Sequence, residues 1–459
     1  MSTPSSPRPP RPEKPRPKKT HRRRRRNEPA PARRGACPAF LAPMETGDGL
    51  ILRLVPAEGA ISPGQLRGLA RAATALGNGM MEITARGSLQ VRGLTAETVA
   101  PLQDAVLALG ITPRLGLAID ISPLSGLDPR EVADARPLAQ RIQEGAAGLA
   151  DKLGPKVSVV IDGGGAIGLG GHKADVRLAA LRSGAEGMWS VTIGGGAPEL
   201  LAEKDAAARA LDALSQIAAL GRRARATDLP GCAAAQGDHG KPLAPLGTFP
   251  LADGRFACGI GLPFGAGAAN LFAALADAAE AAGSRDLRPA TERVLLTTGL
   301  DAEGTRAFAT EARRLGCLVA PDDPRAFIAA CPGAPACICA HFPARDLAPL
   351  VAEALAPLLD GTVTVHLSAC TKGCAHPAPA TLTFVGMDEG IALVHEGAPS
   401  GARGPVLPVD ALAAKLATLA GTPRLPGETG RGLLARMQKA GLLAGLWLRE
   451  GNDRPMVKT

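Results

Sequence analysis

The pattern of hydrophobic and polar positions between residues 45 and 112 predicts a short series of strands and helices. Ser62 and Pro63 are residues favoured at the start of a helix, and Leu66, Leu69 and Ala73 follow at helical spacing. The predicted elements are strands at 50–55, 81–84 and 89–92 and helices at 63–76 and 98–109. The order strand, helix, strand, strand, helix is that of a ferredoxin-like module.

This pattern repeats later in the chain. When the sequence is shifted by 206 residues it aligns with itself without a gap, and the aligned pairs include Gly59 with Gly265, Leu69 with Leu275, Gly77 with Gly283, Leu89 with Leu295 and Gly110 with Gly316. The same shift places a second apolar segment, residues 157–159, on residues 363–365. We therefore predict an internally duplicated α+β fold, in which each half is a ferredoxin-like module followed by a larger α/β module.

The duplication divides the chain into six predicted parts. These are a disordered basic tail (1–34), the first ferredoxin-like module (45–112), the first α/β module (118–225), the second ferredoxin-like module (250–320), a second α/β module with paired cysteines (324–400) and a C-terminal appendage (401–459). The appendage contains one predicted helix with a leucine face, at about 432–446.

Composition and charge narrow the classes of protein. With 46% apolar residues the chain can form a globular core. Residues 1–34 contain thirteen Lys or Arg and two Glu, a net charge of +11, so the remainder carries −2 of the total of +9. The folded part therefore does not predict a nucleic-acid-binding surface. The chain contains no run of eighteen apolar residues, so we expect no membrane span and a reducing, cytoplasmic setting.

Two loops carry four of the nine cysteines, and each loop follows a short apolar run. Their sequences are Cys331-Pro-Gly-Ala-Pro-Ala-Cys337 and Cys370-Thr-Lys-Gly-Cys374. Two strands that end side by side would bring four thiolates together, as an iron–sulfur cluster requires. Cys339 would point elsewhere on an extended segment, so we do not expect it to be a ligand.

These cysteines allow three other interpretations. Zinc sites usually pair cysteines two to four residues apart, so five intervening residues in the first loop fit zinc poorly. A disulfide framework is disfavoured by the odd cysteine count and by the lack of a secretion signal. Simple burial as small apolar residues fits the isolated Cys232, Cys258 and Cys317 better than the paired loops.

The cysteine loops resemble the cluster motif of the sulfite and nitrite reductase superfamily, and their flanking residues resemble its precorrin-3B synthase branch, of cobalamin biosynthesis. Further segments that match this branch extend the resemblance over residues 35–390; they are 37–50, 84–93 and 157–165. The resemblance implies one [4Fe-4S] cluster, with Cys331, Cys337, Cys370 and Cys374 as its ligands.

In this branch the tetrapyrrole is a metal-free substrate. The resemblance therefore implies oxidation of precorrin-3A with O2, with NADH or a reductase as electron donor, which hydroxylates C20 and forms a γ-lactone. It also implies a mononuclear non-haem iron besides the cluster. His341, His366 and His376 flank the cysteine loops, but no pairing with a carboxylate singles them out as iron ligands.

An anionic tetrapyrrole needs cationic side chains, and arginine binds carboxylates through two hydrogen bonds. Arg86, Gln90 and Arg92 lie in the segment that contacts the tetrapyrrole in the reductases that this chain resembles, and strand alternation puts Gln90 and Arg92 on one face. We predict these three residues to bind substrate; solvated strand residues are the competing interpretation.

Two other functions remain open from the sequence. One is a sulfite or nitrite reductase that uses siroheme, in which Cys374 would also bridge to the haem iron; a haem-type Soret band would identify it. The other is an electron-transfer or scaffold protein that holds a cluster without binding a tetrapyrrole.

Overall fold

The computed structural model describes residues 38–182, 187–232, 245–376 and 378–447. The basic tail predicted at residues 1–34 lies outside these ranges. None of the helices they contain is both long and apolar enough to cross a membrane.

The first ferredoxin-like module is an antiparallel sheet with the spatial order β1-β2-β4-β3, accompanied by two helices. Its elements are β1 (Met44–Thr46), β2 (Gly49–Leu54), α1 (Pro63–Leu76), β3 (Met80–Ile83), β4 (Leu89–Leu94) and α2 (Ala96–Ala108). α1 starts where the sequence predicts, because Ser62 and Gln65 form a reciprocal capping box with hydrogen bonds of 3.1 and 2.8 Å.

The first α/β module is a five-stranded sheet in which three parallel strands are followed by two antiparallel ones. Its elements are β5 (Ala118–Ile121), α3 (Ala135–Gly145), β6 (Ser158–Asp162), β7 (Val176–Ala180), β8 (Met188–Ile193), β9 (Glu199–Ala202) and α4 (Glu203–Ala219). α3 and α4 bury their apolar faces against the sheet in one core that includes Trp189.

The second ferredoxin-like module repeats the first. Its elements are β10 (Gly247–Pro250), β11 (Phe256–Gly261), β12 (Ala266–Ala268), α5 (Ala269–Ala281), β13 (Asp286–Ala290), β14 (Val294–Leu300) and α6 (Ala302–Arg314). β12 leaves its own sheet and pairs with β3, and α5 packs against α1. Residues of both modules, including Leu69 and Phe272, therefore share one hydrophobic core.

The second α/β module has the same strand arrangement as the first. Its elements are β15 (Ile328–Ala330), α7 (Ala344–Leu355), β16 (Val365–Ser368), β17 (Ala380–Met387), β18 (Gly390–Gly397), β19 (Val406–Leu407) and α8 (Leu412–Ala420). β19 and α8 lie within residues 401–459, the segment expected to be an appendage. β19 is the edge strand of this sheet and α8 packs in the core of the module.

The described part of the chain then ends in two short helices, α9 (Gly430–Lys439) and α10 (Leu442–Leu446), instead of the single helix expected from its leucine face. Gly441 separates them because it adopts a left-handed conformation with φ of 72°. Trp447 anchors this end: it is buried, and its Nε1 donates a hydrogen bond of 2.8 Å to the Ile391 carbonyl oxygen.

The two halves are interlocked, because each α/β module places loops on the ferredoxin-like module of the opposite half. In the first α/β module, the Leu127 carbonyl oxygen accepts a hydrogen bond of 2.9 Å from Ala252 N–H. In the second, the Ala336 carbonyl oxygen accepts one of 3.1 Å from Gly47 N–H. The duplication predicted from the sequence is therefore present in the fold, and both halves contribute to each loop environment.

Candidate functional site

The two cysteine loops start at neighbouring strand ends. β15 and β16 are parallel and directly paired, and they end immediately before Cys331 and Ala369. Because the carboxyl ends of parallel strands meet at one edge of a sheet, the two loops come together there. The Ala369 N–H donates a hydrogen bond of 3.2 Å to the Cys331 sulfur, so the loops are in direct contact.

The first loop is held in a fixed shape by its own backbone. Cys337 N–H donates to the Gly333 carbonyl oxygen at 2.8 Å, and Ala334 N–H donates to the Phe342 carbonyl oxygen at 3.0 Å. Gly333 has a φ of 76°, and a Cβ at this position would overlap the backbone nitrogen of Ala344. The loop therefore requires glycine at this position to turn back onto the start of α7.

The electrostatics of the cysteine sulfurs favour a positively charged group between them. Burial raises the pKa of the Cys331, Cys370 and Cys374 thiols, and the charges of neighbouring cysteines raise it further. At Cys331, backbone N–H groups of Ala369 and Gly333 oppose this effect. Thiolates that repel each other in a partly buried site are stabilised by a metal group, and four such donors fit an iron–sulfur cluster.

No three His, Cys, Asp or Glu side chains in the described ranges are arranged to hold a metal ion. In a cluster each thiolate binds a different iron, so the four sulfurs need not converge on one point as zinc ligands do.

Cys339 also lies near these cysteines, although its spacing predicted that it would point elsewhere. Lys372 Nζ is 3.0 Å from the Cys339 sulfur, and the Cys339 charge contributes to the raised pKa values of Cys370 and Cys374. The structure thus brings five cysteines together, and the assignment of four of them as ligands stays a prediction.

Arg92 is part of a buried network of charged and polar side chains. It is 3% exposed and makes two hydrogen bonds to the Asp48 carboxylate, of 2.8 and 2.9 Å. It also lies 3.4 Å from Glu82 and donates a hydrogen bond of 2.8 Å to the Ala336 carbonyl oxygen, in the first cysteine loop. These contacts form a clamp that joins the first ferredoxin-like module to this loop, and the contact between Arg92 and substrate stays a prediction.

Gln90 is part of the same buried network. Its side chain donates to Glu82 at 2.7 Å and accepts two hydrogen bonds from Arg53, and Glu82 also pairs with Arg345 at 2.8 Å. Strand alternation correctly placed Gln90 and Arg92 on one face, but that face is covered by the second α/β module. Both residues are buried in this network, and their contact with substrate stays a prediction.

A second arginine holds the other cysteine loop. Arg293 lies in the turn between β13 and β14 and donates a hydrogen bond of 2.6 Å to the Ala375 carbonyl oxygen. Arg92 and Arg293 come from opposite halves, so each ferredoxin-like module holds one of the two loops.

A cavity with a volume of about 780 Å³ lies in the described part of the chain. Both ferredoxin-like modules and the first α/β module contribute to its wall, and the arginines in this wall are Arg86, Arg114, Arg136 and Arg288. Arg86 is the member of the predicted substrate-binding set that lies here, where it hydrogen-bonds Asp120 at 3.3 Å and the Lys173 carbonyl oxygen. This volume is within the range of about 300–1,000 Å³ usual for small-molecule sites.

Several residues of the cavity wall were not predicted, among them Arg114, Arg288, His172 and Thr291. The internal repeat contained a signal for one of these residues, Thr291. A shift of 206 residues places Thr291 opposite Ala85, next to Arg86, and the two turns form an isolated antiparallel bridge between Arg86 and Thr291. The other three residues have no motif that marks them in the sequence.

The three histidines that flank the cysteine loops do not form an iron site in the described residues. The His366 and His376 rings lie edge to face, with centroids 5.7 Å apart. His341 Nδ1 is 3.5 Å from the exposed carboxylate of Asp388. Burial, together with the charges of His376 and Arg293, lowers the pKa of His366 to about 3, so its ring is neutral at neutral pH.

The first half shows what replaces the first cysteine loop. Ser125 and Glu131 align with Cys331 and Cys337 under the repeat, and the Ser125 hydroxyl donates a hydrogen bond of 2.6 Å to the Glu131 carboxylate. A Cβ on Gly163 would overlap the Glu131 side chain, which shows how closely the neighbouring glycine-rich loop approaches. A direct hydrogen bond thus joins the two positions where the second half has cysteines.

Comparisons with known proteins agree with this architecture. The model of the nitrite/sulfite reductase ferredoxin-like half domain matches residues 42–109. A precorrin-3B synthase from Sinorhizobium sp. is 36% identical over 431 residues, which cover 90% of this chain and 94% of that protein. The assimilatory ferredoxin-dependent nitrite reductase of Haloferax mediterranei is 30% identical over 108 residues, 20% of this chain and 18% of the relative.

Among solved structures, the NirA protein of Mycobacterium tuberculosis superposes with a TM-score of 0.65. The superposition covers 86% of this chain and 84% of that protein, at 20% sequence identity. This likeness concerns the fold alone, and it confirms the predicted α+β class.

Proposed function

Since the chain belongs to the precorrin-3B synthase family, an oxidoreductase family, we propose that it oxidises precorrin-3A with O2 and electrons from a reduced nicotinamide. In this proposal the reaction hydroxylates C20 and closes a γ-lactone. The observation that carries the proposal is the arginine-lined cavity of about 780 Å³, because a tetrapyrrole with many carboxylates needs both the volume and the positive charge.

The substrate carboxylates are bound by arginines of the cavity wall. Arg86 and Arg114 both contact Asp120, and Arg288 is paired with Asp286 at 2.9 Å. Each guanidinium has five N–H donors, so donors remain for a ligand beside these internal contacts. The fixed internal contacts also orient the guanidinium groups before the substrate arrives.

Cys331, Cys337, Cys370 and Cys374 hold a [4Fe-4S] cluster in this proposal. When bound, the cluster supplies single-electron transfer between the electron donor and the substrate site. Ala369 N–H supports the Cys331 sulfur, and Arg92 and Arg293 keep the two loops at a fixed separation.

One turn of the second ferredoxin-like module connects the cavity with the cysteine loops. Thr291 lies in the cavity wall, and Arg293, two residues later, hydrogen-bonds the second cysteine loop through Ala375. This turn therefore joins the cavity wall to the second cysteine loop, which would hold two of the four cluster ligands.

The test is turnover by anaerobically purified protein. Precorrin-3A is supplied with O2, NADH and a reductase, and the product is examined by mass spectrometry. We expect the product to contain one additional oxygen atom, derived from labelled O2, and the protein to contain iron and sulfide. Absence of oxygen incorporation by a protein with an intact cluster would refute the activity.

The visible spectrum of the same preparation tests the competing activity. An iron–sulfur protein without haem shows only broad absorbance, whereas a siroheme-dependent reductase shows a Soret band. A Soret band together with reduction of sulfite or nitrite would replace the proposed function with that of a siroheme enzyme.

A further inference from the structure

His172 is a buried histidine at the cavity wall. Its side chain is 5% exposed, and neither ring nitrogen finds a hydrogen-bond partner among the described residues. Buried polar atoms without partners destabilise a fold, so such a residue needs an explanation. A ligand in the cavity would supply the missing partner.

Thr291 presents the same feature in the same cavity. It is 5% exposed, and within the described ranges its hydroxyl oxygen has no hydrogen-bond partner. The two residues come from different halves, His172 from the first α/β module and Thr291 from the second ferredoxin-like module. Their shared position in the wall of one cavity makes a common partner the simplest explanation.

The loop that carries His172 is fixed by hydrogen bonds. Arg177 donates to the carbonyl oxygens of His172 and Leu169, and Arg86 donates to that of Lys173. The Asp162 carboxylate accepts a hydrogen bond of 2.8 Å from Leu169 N–H. These contacts restrict the backbone around His172, so its lack of a partner does not result from an unsupported loop.

The charged neighbours decide which protonation state and which ligand group fit. Burial lowers the pKa of His172; Asp120 and Asp162 oppose this effect, and Arg86 and Arg177 reinforce it. The ring is therefore neutral at neutral pH. The Asp120 carboxylate lies 3.9 Å from Nδ1, so a proton on Nδ1 is favoured and Nε2 keeps its lone pair.

We infer that His172 and Thr291 form an inner subsite that recognises a pyrrolic N–H of the bound tetrapyrrole, with His172 Nε2 as the acceptor. The inference rests on the proposed function. An unprotonated Nε2 can accept a hydrogen bond from an N–H donor, but it has no proton to donate to a ligand carboxylate. The subsite therefore distinguishes a metal-free tetrapyrrole, which has N–H groups, from one whose nitrogens hold a metal.

The test uses uroporphyrin III and its nickel complex, in which the metal has replaced the inner N–H protons. Binding to the cluster-containing protein is measured by absorbance titration. We expect wild-type protein to bind the metal-free probe about tenfold more tightly than the nickel complex, as the loss of one hydrogen bond predicts. His172→Leu and Thr291→Val should weaken binding of the metal-free probe, and His172→Leu should remove the preference.

His172→Gln should keep most of the affinity, because a glutamine oxygen can accept the same hydrogen bond. Its affinity should fall less in acid than wild-type affinity, which also loses the hydrogen bond when His172 is protonated. The fall that both proteins share comes from protonation of the probe's carboxylates. The matched controls are His395→Gln, a histidine outside the cavity wall whose Nε2 is likewise buried without a partner among the described residues, and Thr74→Val on α1. Both should bind like wild type.

Equal affinity of wild-type protein for the two probes would overturn the inference and leave the proposed function in place. The same holds if His172→Leu and His172→Gln lose affinity equally, because the residue would then act through packing. Failure of wild-type protein to bind either probe would overturn the proposed function together with the inference.

Discussion

Replacing Arg92 by alanine tests whether this arginine stabilises the buried clamp or binds substrate. The side chains of Arg92 and Glu82 are 4% and 8% exposed, and that of Asp48 is 17% exposed, so solvent screens their charges little. Removing one partner from a buried ion pair destabilises a protein by about 3–5 kcal/mol. Glu82 keeps Arg345, but Asp48 loses its cation, so we expect about 3 kcal/mol.

Arg92→Ala should destabilise the first cysteine loop as well as the whole fold, because the same guanidinium binds the Ala336 carbonyl oxygen in that loop. We expect Arg92→Ala to show faster amide hydrogen exchange in residues 331–342 and a lower iron and sulfide content after purification. Urea unfolding gives the change in stability, and exchange measured by mass spectrometry gives the local effect. Arg71→Ala, at an exposed position on α1, is the matched control and should change neither quantity.

A double-mutant cycle with Asp48→Asn separates the ion pair from the loop contact. If Arg92→Ala is destabilising mainly because it leaves Asp48 unpaired, the added Asp48→Asn change should recover at least about 1 kcal/mol. The reasoning fails if Arg92→Ala retains wild-type iron content and wild-type exchange in the loop. Weakened porphyrin binding with an intact cluster would instead restore Arg92 as a substrate contact.

Three further predictions concern the sulfurs, the cavity and the acid stability. Single Cys→Ala replacements at 331, 337, 370 and 374 should each abolish the broad visible absorbance, whereas Cys339→Ala should keep it. If Cys339→Ala abolishes the absorbance and Cys337→Ala keeps it, Cys339 and not Cys337 is the ligand. Arg86→Ala should weaken porphyrin binding about ten- to a hundredfold without changing iron content, because a charge-assisted pair contributes about 1.5–3 kcal/mol; unchanged affinity in a titration would remove it from the site. The folded-state pKa of His366 is about 3, below its usual 6.5, so its contribution to stability is present above about pH 6.5 and is lost as the pH falls towards 3. Urea unfolding between pH 7 and 4 should show a decline that includes about 1.4 kcal/mol per pH unit from this residue, and His366→Asn should flatten the curve; an unchanged slope would show that His366 is not neutral in the fold.

Periodicity and the internal repeat predicted the fold well, because both are read from residue spacing along the chain and require no knowledge of tertiary contacts. The helix predicted at residues 63–76 is α1 with the same bounds, and the shift of 206 residues carries α2 onto α6. The sequence pattern did not predict that α9 and α10 are separate helices, because the leucine pattern continues across Gly441, whose left-handed backbone separates them.

The site was harder to predict, because it depends on which surfaces the modules cover. Alternation placed Gln90 and Arg92 on one face of β4, yet it could not show that the opposite half buries that face. The cavity residues Arg114, Arg288 and His172 lie on three separate segments that only the tertiary structure brings together. The cysteine loops were recognisable because their chemistry is concentrated in two short segments.

The clamp between Arg92 and Ala336 joins residues 244 positions apart, and this has a consequence for how the protein is made. Synthesis proceeds from the N-terminus, so the ribosome completes Arg92 and its carboxylate partners long before the cysteines emerge. Until then the first cysteine loop, which Arg92 holds in the complete fold, has not been synthesised. The support of the first cysteine loop by Arg92 is therefore complete only in a chain that extends through both halves.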